Sequence, residues 1–447
     1  MKKYLLTLLP FLLCSIACLA TDVYGIISVN TTWTKANSPY RIIGDLRLDS
    51  NVTLTIEPGT EIRGKANRNF FIYGEIIAKG TITDSIRFTQ DSVIQGQFGW
   101  EGLSIRDPHP LDTFTFEYCH FQYAHYAIST INHIKVTNCL FTNNTQGIRT
   151  VYNSVYVSDC LFMNNEYGVL SDAGGHLRVQ NCGFVNNANT MYGGHLNFNN
   201  NMVFNANNAI NGGVDTITNN LFVNSSNYTI LGSFRYLANN KIWQSKTGIN
   251  YFGGIAEHNT IKYCNTAIYL STGVNNNAIR NNCISYSAKY NIDGRQTAQN
   301  SDVSNNYWGL TDSAKIDSLI FDYNDTLLFS VGFVNFMPIL QSADQSCVDT
   351  FSFPSYYPFP LSIPKIENDK VLTVYPNPAT DVVTIETGNQ HTIKKVTLYT
   401  LTGLVMQQIE ANTSKLTLNI ASIPNGMYLV KVFTNDGKAQ VTKLLKE

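Results

Sequence analysis

The sequence predicts an all-β chain: a right-handed parallel β-helix solenoid followed by a small C-terminal Ig-like β-sandwich. Three observations carry that prediction. A short phrase returns about every ~20 residues, the step of a solenoid coil. Equivalent positions in successive copies hold the same residue types, so they form columns. Past a proline-rich break the text changes to longer alternating strands closed by Gly turns.

The phrase is clearest at Asn138-Cys139-Leu140-Phe141-Thr142-Asn143-Asn144, Asp159-Cys160-Leu161-Phe162-Met163-Asn164-Asn165 and Asn181-Cys182-Gly183-Phe184-Val185-Asn186-Asn187. Its central apolar residue marks the register at Phe121, Phe141, Phe162, Phe184, Phe204, Phe222, Ile242, Ile261, Ile284 and Tyr307, in steps of 20, 21, 22, 20, 18, 20, 19, 23 and 23. Leucine-rich repeats share the step but need a Leu framework, and these columns hold Phe, Ile, Cys and Asn. In a β-helix the residue one turn later lies directly above, at the ~4.8 Å spacing of neighbouring strands, so like residues stack. Two places before the mark come Cys119, Cys139, Cys160 and Cys182, continued by Met202; three places before it come Asn138, Asp159, Asn181, Asn201, Asn219 and Asn239. Stacked amides hydrogen-bond along a ladder, and Asn tolerates the left-handed backbone of a sharp corner. Phe and Cys are therefore expected in the core and Asn at the bends, with Asp159 replacing an amide at a corner.

Residues 1–20 read as an export signal: Lys2 and Lys3, the apolar run Leu5 to Leu13, and Cys18-Leu19-Ala20 before Thr21. Ser15-Ile16-Ala17-Cys18 read as a lipobox is the alternative. No later apolar run approaches the ~20 residues of a membrane span. Charged residues are only 14% of the chain and the formal net charge is -1, which argues against nucleic-acid binding. Seven cysteines remain after Cys14 and Cys18, and four share one column, so buried thiols are preferred over a disulfide framework, with Cys264, Cys283 and Cys347 unassigned.

Residues 21–337 are assigned to the solenoid. Its opening strands read Tyr40-Arg41-Ile42-Ile43-Gly44-Asp45, Val52-Thr53-Leu54-Thr55-Ile56 and Gly74-Glu75-Ile76-Ile77-Ala78. With Phe98-Gly99-Trp100-Glu101-Gly102-Leu103 and Ser304-Asn305-Asn306-Tyr307-Trp308-Gly309, this text resembles bacterial secreted β-helix proteins of the pectate-lyase-like superfamily. The resemblance covers roughly residues 26–336 and implies the fold, with a capping first strand, but no particular activity. Residues 338–370, with Pro338, Pro354, Pro358, Pro360 and Pro364, read as a linker, because proline removes the ladder donor.

Residues 371–447 alternate over Val382 to Glu386, Val396 to Tyr399, Leu416 to Ile420 and Met427 to Phe433. The opening Tyr375-Pro376-Asn377-Pro378, Gly403, the Asn425-Gly426-Met427-Tyr428 phrase and the basic tail with Lys443 and Lys446 resemble the type A C-terminal sorting domain of the type IX secretion system in Bacteroidota. The resemblance implies secretion through the periplasm to the outer surface or beyond, the secretion machinery as a partner, and removal of the domain afterwards.

Chemistry is harder to read. Aligning His133-Ile134-Lys135-Val136, Ser154-Val155-Tyr156-Val157, His176-Leu177-Arg178-Val179 and His195-Leu196-Asn197-Phe198 on their inward apolar residue puts His133, His176 and His195 outside, beside Lys135, Tyr156, Arg178 and Asn197. This basic and aromatic stripe suits an acidic sugar chain, against the plainer reading of a solvated polar face. Lys135, Arg178 and Tyr156 are the catalytic candidates if the protein is a polysaccharide lyase or glycosidase, since a lyase needs a cation for the uronate carboxylate and a base for its proton. Asp172 is close enough in sequence to join the stripe, and Trp243, Tyr251 and Tyr269 are candidate sugar platforms. Asp159, Glu166, Asp215, Glu257, Asp293 and Asp302 form no column, so no carboxylate dyad is legible, and no metal or cofactor is expected. Asp-Ser/Thr-apolar triplets such as Asp215-Thr216-Ile217 and Asp312-Ser313-Ala314 resemble O-glycan acceptors of Bacteroidota. The reading is a monomeric, surface or secreted glycan-binding module, with an enzyme or a purely structural component as alternatives.

Overall fold

The computed structural model describes residues 20–91, 99–107, 113–172, 174–274, 278–326, 328, 330–343, 347, 372–387, 392–400, 405–424, 426–435 and 439–446. The export signal apart from Ala20, most of the linker, Gly403 and Asn425 lie outside the described residues. The chain divides into two units, Met1–Phe359 and Pro360–Glu447.

The first unit is a parallel β-helix with three faces. One face is a twelve-stranded parallel sheet that includes His133–Thr137, Val155–Ser158, His176–Gln180 and His195–Asn199. A central face of short strands follows, such as Leu140–Thr142 and Leu161–Met163. The third face holds strands such as Ala124–Thr130 and Gln146–Thr150. Strand Thr21–Ile27 pairs in parallel with Tyr40–Leu48 at the start of the solenoid.

Two left-handed corners bracket each central strand. The first is built by Tyr118, Asn138, Asp159, Asn181, Asn200, Asn219, Asn239, His258, Asn281 and Asn305, the second by Tyr123, Asn143, Asn164, Asn186, Asn205, Asn224, Gln244, Tyr263 and Tyr286, with φ between 48 and 61°. Asn is favoured there because its short polar side chain bonds locally. The Asn181 amide donates to Asp159 Oδ1 at 3.2 Å, so the carboxylate does stand in for an amide.

Inside the corners runs the core. Phe88, Phe121, Phe141, Phe162 and Phe184 stack with centroids 4.7, 5.0, 4.6 and 4.8 Å apart. Each pair adds about 0.5–1.5 kcal/mol beyond area burial. The column then departs from the expected register. Phe184 pairs with Val203, and Val203 with Phe222, so Phe204 and Met202 face outward. Near the end Cys283 lies opposite Tyr307, which leaves Trp308, not Tyr307, as the fully buried residue.

The corrected register joins two columns that the sequence keeps apart. Asn201, not Met202, continues the Cys column, and Asn200 takes the corner. Cys119 N–H donates to Cys139 Sγ at 3.3 Å, Cys139 N–H to Cys160 Sγ at 3.4 Å and Cys182 N–H to Asn201 Oδ1 at 2.8 Å. From there Asn201, Asn220, Asn240, Asn259, Asn282 and Asn306 form a buried ladder whose amides link at 3.2, 2.9, 2.9, 3.0 and 3.0 Å. A second short ladder joins Asn144, Asn165 and Asn187 at 3.0 and 2.9 Å. Every described cysteine is a buried free thiol.

Hydrogen bonding continues past Pro338: Pro338 O accepts from Asn305 N–H at 2.6 Å, and Leu340 N–H donates to Asn306 O at 3.0 Å. Cys347 then lies against the central face, where its carbonyl accepts from the buried Lys262 Nζ at 3.0 Å.

The second unit packs a three-stranded antiparallel sheet and a four-stranded one around Val383, Ile385, Val396, Leu398, Leu418, Val430 and Val432. The expected strands are present at Val382–Thr387, Ile393–Thr400, Lys415–Asn419 and Gly426–Thr434, the third ending one residue before the expected Ile420. Leu372–Tyr375, Val405–Thr413 and Ala439–Lys446 are further strands. The opening motif and the basic tail meet: Asn377 Oδ1 accepts from Leu445 N–H at 2.9 Å, and Ala379 N–H donates to Leu445 O at 2.8 Å. Tyr375 Oη donates to Glu386 Oε2 at 2.6 Å, and the buried Tyr428 donates to Pro424 O at 2.6 Å.

Candidate functional site

The stripe lies on the twelve-stranded face. Ile134, Val155, Leu177 and Leu196 are buried, so alternation turns their neighbours outward. Strand register puts Lys135 beside Tyr156, Tyr156 beside Arg178 and Arg178 beside Asn197. His176 pairs with His195, their rings stacked at 5.1 Å. Lys135, His176, Arg178, His195 and Asn197 are exposed, while His133 and Tyr156 are half-buried.

These side chains line one open groove of about 480 Å³ that also takes in Ser154, Thr113 and Asp215. Within it the cations and the tyrosine form a single row. Lys135 Nζ lies 5.9 Å from the centre of the Tyr156 ring, and Tyr156 Oη accepts from Gln180 Nε2 at 2.6 Å. His133 Nδ1 accepts from Ser154 N–H at 3.2 Å. Lys135 and Arg178 therefore sit two strands apart, about ~9.6 Å at ordinary strand spacing, with Tyr156 between them.

The carboxylate of the groove is Asp215, whose Oδ1 lies 3.6 Å from His195 Nδ1. Asp172 does not join it. Its carboxylate accepts from Arg149 Nε at 2.6 Å, and Arg149 belongs to the third face. Neighbourhood in sequence misleads here because the turn after Ser171 separates two faces. Asp215 was legible only in hindsight, since it precedes the inward Ile217 by two places and no column repeats it.

The groove abuts a second depression of about 490 Å³, which shares Thr113 and is lined by Glu75, Lys79 and Asp107. Farther along the same face Tyr236 Oη donates to Glu257 Oε1 at 2.8 Å, and Glu257 pairs with Arg280 at 2.8 Å. That hydrogen bond to a carboxylate, more than burial, raises the Tyr236 pKa. Among the described residues no group of three His, Cys, Asp or Glu side chains is placed to hold a metal ion.

Of the expected sugar platforms, Tyr251 is a core residue: it is 3% exposed, packs edge-on against Phe234 and donates to Gly254 O at 2.8 Å. Tyr269 faces outward on the third face and Trp243 on the central one. Leu161, Leu221 and Val223 point outward there yet are only 7, 5 and 9% exposed. The Asp312 triplet has a local structural role, because Asp312 caps the helix Ser313–Asp317 by accepting from Ala314 and Lys315 N–H.

Residues 373–447 match the family described as the secretion system C-terminal sorting domain. The chain is also 36% identical over 73 residues to "Ulvan lyase NLR42" of Nonlabens ulvanivorans, a match covering 16% of this chain and 14% of that protein. The chain thus spans about one seventh of the length of the curated relative it matches. Among the described residues no helix is long and apolar enough to cross a membrane. The protein is a β-helix bearing a type IX sorting domain over residues 373–447, exported by that route to the cell surface or the extracellular space.

Proposed function

We propose that the β-helix is an extracellular glycan-binding module, and that the groove on the twelve-stranded face takes an acidic polysaccharide lying across the strands. The observation that carries this reading is the row Lys135, Tyr156, Arg178, with His133, His176 and His195 alongside in the same open groove. Two cations about two strands apart meet successive anionic groups on one side of an extended sugar chain, and the tyrosine between them offers an apolar edge to a ring. Export to the cell exterior supplies the setting, and the similarity of part of the chain to a protein named as an ulvan lyase is consistent with a polysaccharide partner.

A second reading is favoured by one feature of the same row. A tyrosine flanked by two cations suits β-elimination on a uronate: Lys135 and Arg178 neutralise the carboxylate, the deprotonated Tyr156 takes the proton from the adjacent carbon, the electron pair left behind forms a carbon–carbon double bond, and the glycosidic C–O bond breaks with its oxygen protonated by the Tyr156 hydroxyl so formed. Among the described residues that line the groove Asp215 is the one carboxylate, whereas hydrolysis uses two, so the groove favours binding over hydrolysis. Affinity chromatography of the mature chain on immobilised polygalacturonate and on neutral glucan tests the first reading. Retention on the acidic matrix that is weakened in Lys135→Ala/Arg178→Ala supports it, and equal retention of the variant refutes the placement.

A further inference from the structure

The third face carries a second basic cluster away from the groove. Its outward column runs Arg47, Phe71, Ser104, Ser129, Arg149, Leu170 and Tyr192 through successive strands. The two serines form a low floor between larger side chains. Arg106 folds back over that floor. Its Nη1 donates to Ile105 O at 2.8 Å and Ser129 O at 3.3 Å, and its Nη2 to Ser129 Oγ at 3.1 Å.

Arg149 approaches from the next coil, held over the Tyr126 ring at 5.1 Å and by Asp172. Tyr126 is itself backed by His125 at 4.0 Å, and His125 Nδ1 lies 3.1 Å from Glu101 Oε2. A bulge at Ala127 lies opposite Gly102, whose φ of 98° and missing side chain permit this strand contact, since a Cβ there would sit 1.6 Å from Tyr126 O. Both guanidiniums are thus fixed in place, Arg149 by its ion pair with Asp172 and Arg106, among the described residues, by carbonyl and hydroxyl oxygens. Burial, and then the nearby Arg149 charge, lower the Arg106 pKa.

We infer that Arg106 and Arg149 form a second anion clamp, which takes the carboxylate or sulfate group of an acidic sugar while a sugar farther along the chain rests on the 43%-exposed ring of Tyr192. Tyr192 lies two strands beyond Arg149, about ~9.6 Å along the solenoid and close to the length of two linked pyranose rings. The planar guanidinium fork suits an oxyanion better than an ammonium does. The class of ligand rests on the glycan reading above, but the clamp occupies a different face, so the molecule would hold two acidic chains at once and cross-link them.

The test is calorimetric titration of the mature chain with hexagalacturonate, with a sulfated hexasaccharide of similar length and with inorganic sulfate. The expected result is two oligosaccharides per chain, falling to one in Arg106→Gln/Arg149→Gln and to one in Lys135→Ala/Arg178→Ala. Arg106→Lys keeps the charge but loses the fork, and about ten-fold of affinity at the second site should go with it, with an unchanged urea midpoint showing that the fold survives. A preference between the two oligosaccharides identifies carboxylate or sulfate as the group held. Stoichiometry and affinity unchanged in the Arg106/Arg149 variant overturn the inference, as does saturation by inorganic sulfate alone at equal affinity. One equivalent still bound in Lys135→Ala/Arg178→Ala supports the clamp even if the groove proves empty.

Discussion

Asn240 sits in the middle of the buried amide ladder, and its replacement by Ala should be among the more damaging single changes to the solenoid. Its Oδ1 accepts from Asn220 N–H at 3.0 Å and Asn220 Nδ2 at 2.9 Å. Its Nδ2 donates to Ile217 O at 2.8 Å, Ala238 O at 3.0 Å and Asn259 Oδ1 at 2.9 Å. Asn220 Nδ2 keeps a second acceptor, Phe198 O at 2.9 Å, but the Asn220 backbone N–H is left without one. A buried orphan costs about 1–3 kcal/mol, and the lost donors add to it, so Asn240→Ala should destabilise by about 3 kcal/mol. Asn240→Cys should cost less, about 1–2 kcal/mol, because a thiol already accepts the same N–H at Cys139 and Cys160. Urea unfolding followed by tryptophan fluorescence, with refolding from the same plateau, measures both. A loss below about 1 kcal/mol in Asn240→Ala, or no advantage of Cys over Ala, refutes the view that one column of acceptors joins the thiols to the amides.

Three of the thiols should be silent in the native state. Burial pushes Cys119 and Cys160 well up and Cys264 up to about 12, so a soluble maleimide at pH 8 should label none of the three until denaturant is added; rapid native labelling contradicts the buried column. His120 supplies an acid-side sensitivity: burial and then Arg87 lower its pKa from 6.5 to about 4. The unfolded chain therefore binds this proton first as the pH falls, so stability is full above about 6.5 and declines toward about 4. His120→Gln should flatten that part of the stability profile, and an unchanged slope would show that His120 is not responsible. Removing residues 373–447 should trap the solenoid in the periplasm, read by cell fractionation, and surface display of the truncated chain would contradict the role of the sorting domain.

Columns were legible because a solenoid writes its three-dimensional neighbours at a fixed interval, and Phe121, Phe141, Phe162 and Phe184 repeat without interruption. The reading slipped where the text became ambiguous. Asn199-Asn200-Asn201 offers two registers, and only the left-handed backbone at Asn200 and the inward amide of Asn201 decide between them. The identity of the Cys and Asn columns was hidden by chemistry, since thiol and carboxamide share little beyond size and an ability to accept one N–H. The stripe was visible by alternation, and its row of Lys135, Tyr156 and Arg178 follows from the register alone. Asp215 was not, and Asp172 was misplaced, because the text does not show on which side of a turn a side chain emerges. Arg106 was invisible for a related reason: it lies beyond its strand and reaches back over it.

The most direct test of the groove is a single screen of the mature chain against acidic and neutral polysaccharides, reading retention and new unsaturated or reducing ends together. The expected result is retention on the acidic polymers without new ends, weakened about ten- to a hundred-fold when Lys135→Ala and Arg178→Ala remove two charge-assisted contacts. New unsaturated ends that vanish in Tyr156→Phe would contradict a purely binding role and establish elimination at this row. Retention that ignores both charge substitutions would contradict the groove itself.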